Sequence, residues 1–221
     1  MAFIACAAMV LAGYLAGSVN FAIIVTRLRT GKDIRALGNE NPGTANVGRT
    51  LGRGWGALVL LGDVLKALVP MLAARLLFFR GSGAWDILAV FAVGLAAITG
   101  HCRPLYYGFK GGSGAATALP VLFFFAPIEA FVSLMLGWIA VLVFVKGVRF
   151  RLGRWVPMLF LTIAPFLTTA MSLLLDVDLG PRLSIGGHPW AVPVGMFATS
   201  FLVMGFSFKV LRQAFAERFS A

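Results

Sequence analysis

Long apolar stretches alternate along this chain with short polar segments rich in Arg and Gly. A helix needs about 20 apolar residues to cross a bilayer, with about 17 as the practical minimum. On that measure the pattern predicts spans over residues 2–26, 55–78, 84–100, 128–145, 155–175 and 190–208. Residues 114–126 form another apolar run, too short to cross alone. The stretch 114–145 therefore holds either two short, tilted helices bent at Ala126-Pro127 or one span plus a re-entrant piece. The first option, giving seven spans, is preferred. Lipid offers no partner for open backbone, so each span is expected as a helix. The expected fold is an all-α, polytopic membrane bundle of about seven transmembrane helices with a short fourth helix, in one domain covering residues 1–221. The first apolar run has no positive residue before it and exceeds a signal-peptide core in length, so it reads as a span and not as a cleaved leader.

Composition sharpens this picture. Hydrophobic residues make up 60% of the 221, charged residues 12%, and the mean hydropathy is +0.92, far outside the range of water-soluble domains. The chain carries 19 Lys and Arg against 8 Asp and Glu, a net charge of +11, which suits loops facing anionic headgroups or phosphorylated substrates. The basic residues are scattered over several short loops and do not form one water-exposed face, which argues against nucleic acid as a partner.

The positive-inside bias acts on short loops near span ends. With the N-terminus outside and the C-terminus inside, the cytoplasmic segments hold Arg27, Arg29, Lys32, Arg35, Arg49, Arg53, Arg103, Lys110, Lys146, Arg149, Arg151, Arg154, Lys209, Arg212 and Arg218, fifteen of the nineteen. That asymmetry fixes the expected orientation. It puts Cys6 and Cys102 on opposite faces, which rules out a disulfide framework, and it separates His101 from His188.

Two inner loops are dense in anion donors. The first runs from Gly31 to Arg49; its glycines allow close backbone approach, amides such as Asn41 and Asn46 add neutral donors, and Arg35 and Arg49 add planar charged forks. The other reading of this loop, which has little that could form a hydrophobic core, is a solvated segment whose arginines only set topology. In the second loop Gly111, Gly112 and Gly114 stand just before an apolar helical run, where free N–H groups and the helix dipole favour a phosphate. A flexible hinge into a short helix is the alternative, and the order of residues does not match a Walker loop. Asp63 and Lys66, three apart in the second span, are expected to face the bundle interior as a structural ion pair. His101, at the cytoplasmic end of the third span, is read as a hydrogen-bonded structural residue. No metal-ligand cluster or Ser-His-Asp arrangement can be built on the inner side, and no cofactor is implied.

In order along the chain, Gly17-Ser18, Asp33-Ile34-Arg35, Gly38, Asn41-Pro42-Gly43, Asn46-Val47, Arg49, Asp63-Val-Leu-Lys66, Gly100-His101, Pro104, Phe109-Lys110-Gly111-Gly112 and Ala116-Thr117 resemble the motifs of the bacterial acyl-phosphate-dependent glycerol-3-phosphate acyltransferases. The resemblance is carried by residues 12–120 and beyond them mainly by span lengths and charge placement. It implies a multi-pass enzyme of the bacterial plasma (inner) membrane with its site on the cytoplasmic face. The implied reaction moves an acyl chain from acyl phosphate to glycerol 3-phosphate, or to a related phosphorylated acceptor, giving lysophosphatidate without a covalent enzyme intermediate.

Three departures accompany the resemblance. Asn39 stands where the family has a serine near the acyl phosphate, Ser113 stands where it has a lysine, and the segment from Phe206 to Arg218 has neither the His nor the Asn of the third motif. Asn39 and Ser113 are thus the substituted catalytic positions, and slower transfer is expected. A second reading is a non-catalytic membrane protein that keeps the fold and binds a phospholipid or phosphorylated metabolite. A transporter would show more polar residues at mid-membrane than Asp63 and Lys66.

Overall fold

The computed structural model describes the backbone of residues 2–144, 148–178, 184–186 and 188–219, and the side chains of residues 2–143, 156–175 and 188–207. Within these the chain runs α1 (Ala2–Ser18), α2 (Phe21–Thr30), α3 (Thr44–Thr50), α4 (Arg53–Leu77), α5 (Ala84–Cys102), α6 (Ala115–Phe123), α7 (Pro127–Phe144), α8 (Val148–Leu174) and α9 (Ala191–Phe219), with a short antiparallel pair, β1 (Asp176–Asp178) and β2 (Ser184–Gly186), between α8 and α9. Among the described residues four segments are long and apolar enough to cross a membrane: Ala2–Thr30, Arg53–Leu77, Ala84–Tyr107 and Val156–Leu174. Pro127–Val143 and Ala191–Ser207 are shorter apolar helices. The nine residues of α6 extend about 14 Å, under half of a hydrocarbon core of about 30 Å. The short fourth helix is therefore present, divided from α7 just before Pro127, which occupies the first helical position.

Solvent-type polarity is inverted on the outside of the bundle. Along α4, Leu58, Leu61, Leu65, Val69, Leu72 and Leu76 are exposed at helical spacing, while Asp63 and Lys66 on the opposite face are buried. An apolar stripe turned outward and a charged pair turned inward suit a helix bathed in lipid.

The first span differs from its sequence reading. It is broken at Val19 and Asn20, because the Asn20 side chain caps α2 by accepting from the Ile23 N–H at 3.1 Å. The interruption frees the Val19 carbonyl, which has a consequence for the site. Above it, α1 and α5 approach through glycine: a Cβ on Gly17 would stand 2.1 Å from the Ala97 carbonyl oxygen, and one on Gly100 would stand 2.2 Å from that of Tyr14. Tyr14 Oη then donates to the Arg103 carbonyl at 2.9 Å and Ser18 Oγ accepts from the Leu105 N–H at 3.2 Å, fastening the start of the second loop to α1.

The first loop also has more core than its sequence suggests. Ile34 and Val47 are fully buried with Ala22, Ile23 and Val59, Val25 is buried beside them, and Leu37, Leu51 and Tyr107 pack around them. At the other end of the bundle Glu129, fully buried near the start of α7, meets His188 Nε2 at 2.9 Å. His101 and His188 accordingly serve different clusters. The basic side chains at positions 146–154 and 209–218, which enter the expected orientation, lie outside the described side chains.

Candidate active site

Two of the charged residues singled out in the first loop do different work. The Arg35 guanidinium forms a fork on Asp33 at 3.0 and 2.8 Å, and its Nη1 donates to the carbonyls of Tyr107 at 3.0 Å and Lys110 at 3.2 Å. It joins the two loops and is not among the residues lining the cavity described below. Those Arg35 hydrogen bonds, with a further one from Arg27, hold the Asp33 carboxyl well below the usual carboxylate range, against the opposing effect of partial burial. Arg49, on α3, reaches the cavity described below.

Asn46 likewise supports the loop from beneath. Its Nδ2 donates to the Leu37 carbonyl at 2.9 Å and its Oδ1 accepts from the Asn39 N–H at 3.2 Å. Gly38 sits over it at φ 60°, and a Cβ there would stand 2.2 Å from Asn46 Oδ1, so the tight loop requires glycine. This bracket sets the path of Asn39.

The second loop is not an open anion cradle at Gly111 and Gly112. Their N–H groups donate to the Cys102 carbonyl at 3.2 Å and to the His101 carbonyl at 3.1 Å, so both are already occupied. Glycine is needed here for closeness: a Cβ on Gly112 would stand 2.3 Å from His101 Nε2 and 2.8 Å from the Pro42 carbonyl oxygen. Gly114, at φ 85°, is the N-cap of α6 and has no side-chain cap. The first-turn amides of α6 thus keep the donor capacity expected at a helix start, beside Ala115 and Ala116 on the cavity wall.

His101 is 2% exposed and Asp63 1%. Lys66 Nζ stands 2.8 Å from Asp63 Oδ1, 2.7 Å from His101 Nδ1 and 3.0 Å from the Val19 carbonyl left open by the break before α2. The Oδ1 contact is an ion pair without hydrogen-bond alignment, and Asp63 Oδ2 has no hydrogen-bond partner among the described residues. The expected structural pair is present, and it extends to the histidine.

These elements enclose a cavity of about 330 Å³. Asn39, Asn41, Arg49, Asp63, His101 and Ser113 line it from the predicted set, whereas Arg35, Asn46, Lys66, Gly111, Gly112 and Gly114 are not among its lining residues. Its other wall is apolar, made by Leu60 of α4, Leu119 of α6, Leu134 of α7 and Val156, Phe160 and Leu161 of α8. Sequence reasoning missed Thr44, whose Oγ1 is buried with no hydrogen-bond partner among the described residues, and Ser207 of α9, whose hydroxyl donates to the Ser113 carbonyl at 3.3 Å. A hydroxyl at the end of an otherwise apolar run was the available signal for Ser207. One polar end and one apolar end in a single cavity suit an amphiphile with a phosphate or other oxyanion head. Among the described residues there is no His, Cys, Asp and Glu cluster able to hold a metal ion.

Comparison with known proteins agrees with this arrangement. The chain is 44% identical over 131 residues to a glycerol-3-phosphate acyltransferase of Anaeromyxobacter dehalogenans, covering 58% of this chain and 63% of that protein. It is 45% identical over 134 residues to one of Rubrobacter xylanophilus, covering 61% and 64%. The aligned part thus spans less than two thirds of the length of these relatives. Over nearly the whole fold it superposes on the crystal structure of PlsY, an integral membrane glycerol 3-phosphate acyltransferase, in its glycerol 3-phosphate form, with TM-score 0.73, 27% identity and coverage of 96% of this chain and 93% of that one. The lysophosphatidic acid form of the same enzyme gives TM-score 0.70 at 26% identity. The glycerol-3-phosphate acyltransferase family model matches residues 7–212, and the chain therefore belongs to that family.

Proposed function

We propose that the chain transfers an acyl group from acyl phosphate to the 1-hydroxyl of glycerol 3-phosphate, forming lysophosphatidate for phospholipid synthesis. The observation that carries this reading is the two-ended cavity: Arg49, Asn39, Asn41 and Ser113 at one end, four apolar helices at the other. The polar end holds the phosphates and the apolar end receives the start of the acyl chain. Holding both reactants there replaces a bimolecular encounter with an oriented one, so no protein nucleophile is required. The acceptor hydroxyl attacks the acyl carbonyl, and inorganic phosphate leaves with the electron pair of the broken C–O bond.

The site faces the cytoplasm of a bacterial inner membrane, with the N-terminus outside, the C-terminus inside and about seven spans. The distribution of Arg and Lys supports this orientation. Ser113 and Asn39 make transfer slower than in relatives that carry Lys and Ser at those positions. Arg49 is the principal phosphate ligand, while Arg35, Asn46 and the loop glycines keep the loops in register around it.

Expression in a bacterium depleted of its own enzyme tests the proposal. Growth and lysophosphatidate synthesis should return in part with this chain and not with Arg49→Gln. Stable membrane expression of the wild-type chain with no rescue and no lysophosphatidate would contradict it and favour a phosphate-binding protein without turnover.

A further inference from the structure

A second cavity, sharing no lining residue with the first, lies between α1 and α9 over α5, which packs against both. It is an open groove of about 690 Å³. Its walls are stripes at helical spacing: Ala7 and Tyr14 of α1, Ala92, Ala96 and Thr99 of α5, and Leu202 of α9. The short side chains of Ala7, Ala92 and Ala96 leave the room. From Ala92 to Thr99 the groove follows α5 for about 10 Å, enough for part of an extended alkyl chain.

One end of this groove is cationic. Tyr14 Oη donates to the Arg103 carbonyl at 2.9 Å, and the Arg103 N–H donates to the Thr99 carbonyl at 2.7 Å, so Arg103 stands directly beyond both wall residues. Its guanidinium carbon lies 5.8 Å over the ring of Phe206, one turn past Leu202 on α9. The guanidinium thus bridges α5 and α9 at the mouth of the groove. Its other contact is a long hydrogen bond from Nη1 to the Phe109 carbonyl at 3.4 Å, and among the described residues no carboxylate pairs with it. Arg103 is exposed, and a guanidinium has five N–H donors, so most of them are left to the surroundings.

An apolar groove that ends in an unpaired cation at the loop end of the bundle has the charge pattern of an anionic lipid. A free phosphate would use the cation and leave the groove empty, whereas an alkyl chain would do the opposite. A zwitterionic headgroup brings an ammonium that Arg103 repels. We propose that this groove binds one anionic glycerophospholipid, with an acyl chain along α5 and the phosphate on Arg103. The lipid fastens α1, α5 and α9 together at the start of the second loop, two residues from His101, and takes no part in acyl transfer.

The test is native mass spectrometry of the purified, delipidated full chain with equal amounts of phosphatidylglycerol and phosphatidylcholine, and melting temperatures measured with each lipid. One phosphatidylglycerol per chain should be retained with about a tenfold preference, the worth of one charged hydrogen bond, and should raise the melting temperature. Arg103→Gln should abolish the preference, and Ala96→Phe, which fills the groove, should abolish retention. Arg49→Gln, which alters the reaction cavity, should keep both. Equal retention of the two lipids would overturn the proposal and leave ordinary boundary lipid. A preference that survives Arg103→Gln, or one lost in Arg49→Gln, would place the anion elsewhere and overturn it too. Loss in Arg103→Gln with no effect of Ala96→Phe would leave a surface anion contact and remove the groove.

Discussion

Lys66 Nζ lies 2.7 Å from Nδ1 of His101, a contact between α4 and α5 made inside the bundle with almost no exposure on either side chain. Together with Asp63 this puts a charged network at the wall of the cavity. Lys66→Met should cost far more than the loss of one contact, because it strands the Asp63 carboxylate. Breaking one partner of a buried pair typically costs about 3–5 kcal/mol. Asp63→Asn/Lys66→Met should recover much of that loss, and thermal unfolding of the single and double variants measures the difference. Equal destabilisation in Lys66→Met and in the double variant would mean that packing, not charge, dominates.

The two loop arginines should separate in experiment. Arg35→Gln removes the fork on Asp33 and the tie to Tyr107 and Lys110, so it should lower the unfolding midpoint and leave phosphate affinity near wild type. Arg49→Gln should act on the site itself, weakening glycerol 3-phosphate binding by about 1.5–3 kcal/mol, the usual worth of a charged hydrogen bond. Calorimetric titration of both variants checks the assignment.

Asp33 gives a pH dependence with a definite sign. Its folded carboxyl is held below the ordinary range, so its contribution is complete above the unfolded value of about 3.9 and is lost only as pH falls toward the depressed folded value. The difference in melting temperature between wild type and Asp33→Asn should stay constant from about pH 8 to about pH 5 and shrink below about pH 4. A difference that disappears near neutrality would contradict the Arg35–Asp33 geometry.

Glycine positions offer a matched pair. Gly112→Ala should abolish the site, since its Cβ would meet His101 Nε2 and the Pro42 carbonyl, whereas Gly54→Ala, in the first turn of α4 with nothing within 4 Å, should be neutral or stabilising by up to about 1 kcal/mol. Activity and melting temperature of the two variants together check this.

Much of the architecture could be read from the chain because the membrane imposes it: spans must be long and apolar, so hydropathy and the break at Pro127 located α4, α5 and α7 closely, whereas α8 begins well before residue 155 and α9 runs on to Phe219, past residue 208, because a helix continues beyond its apolar stretch. The cap at Asn20 escaped notice, since a single amide within an apolar run looks the same whether it caps a helix or lies in one. Gly111 and Gly112 were assigned to anion approach when they serve close packing on His101; glycine meets both demands with the same letter. The ties made by Arg35 were hidden for a different reason. Two of its partners are backbone carbonyls more than 70 residues away, which no local spacing encodes. Asn39, Asn41, Arg49 and Ser113, from the two inner loops, do meet at one cavity, while Asp63 and His101, read from the sequence as structural, also stand on its wall.

Ser113 lines the polar end where relatives are expected to place a lysine, and Ser207 holds its carbonyl. Ser113→Lys should raise kcat/KM about tenfold or more, since one added electrostatic contact in a preorganised site commonly changes rate by 10²–10³, part of which is lost to imperfect fit. No gain would indicate that another cation already occupies that corner.

The central claim is acyl transfer at this cavity, and one assay reaches it directly: inorganic phosphate and lysophosphatidate measured together over time, with purified chain and acyl phosphate, in the presence and absence of glycerol 3-phosphate. Equal amounts of the two products, appearing only when glycerol 3-phosphate is present and much reduced in Arg49→Gln, are predicted. Phosphate release without the acceptor, or no lysophosphatidate from a folded chain that binds glycerol 3-phosphate, would contradict it.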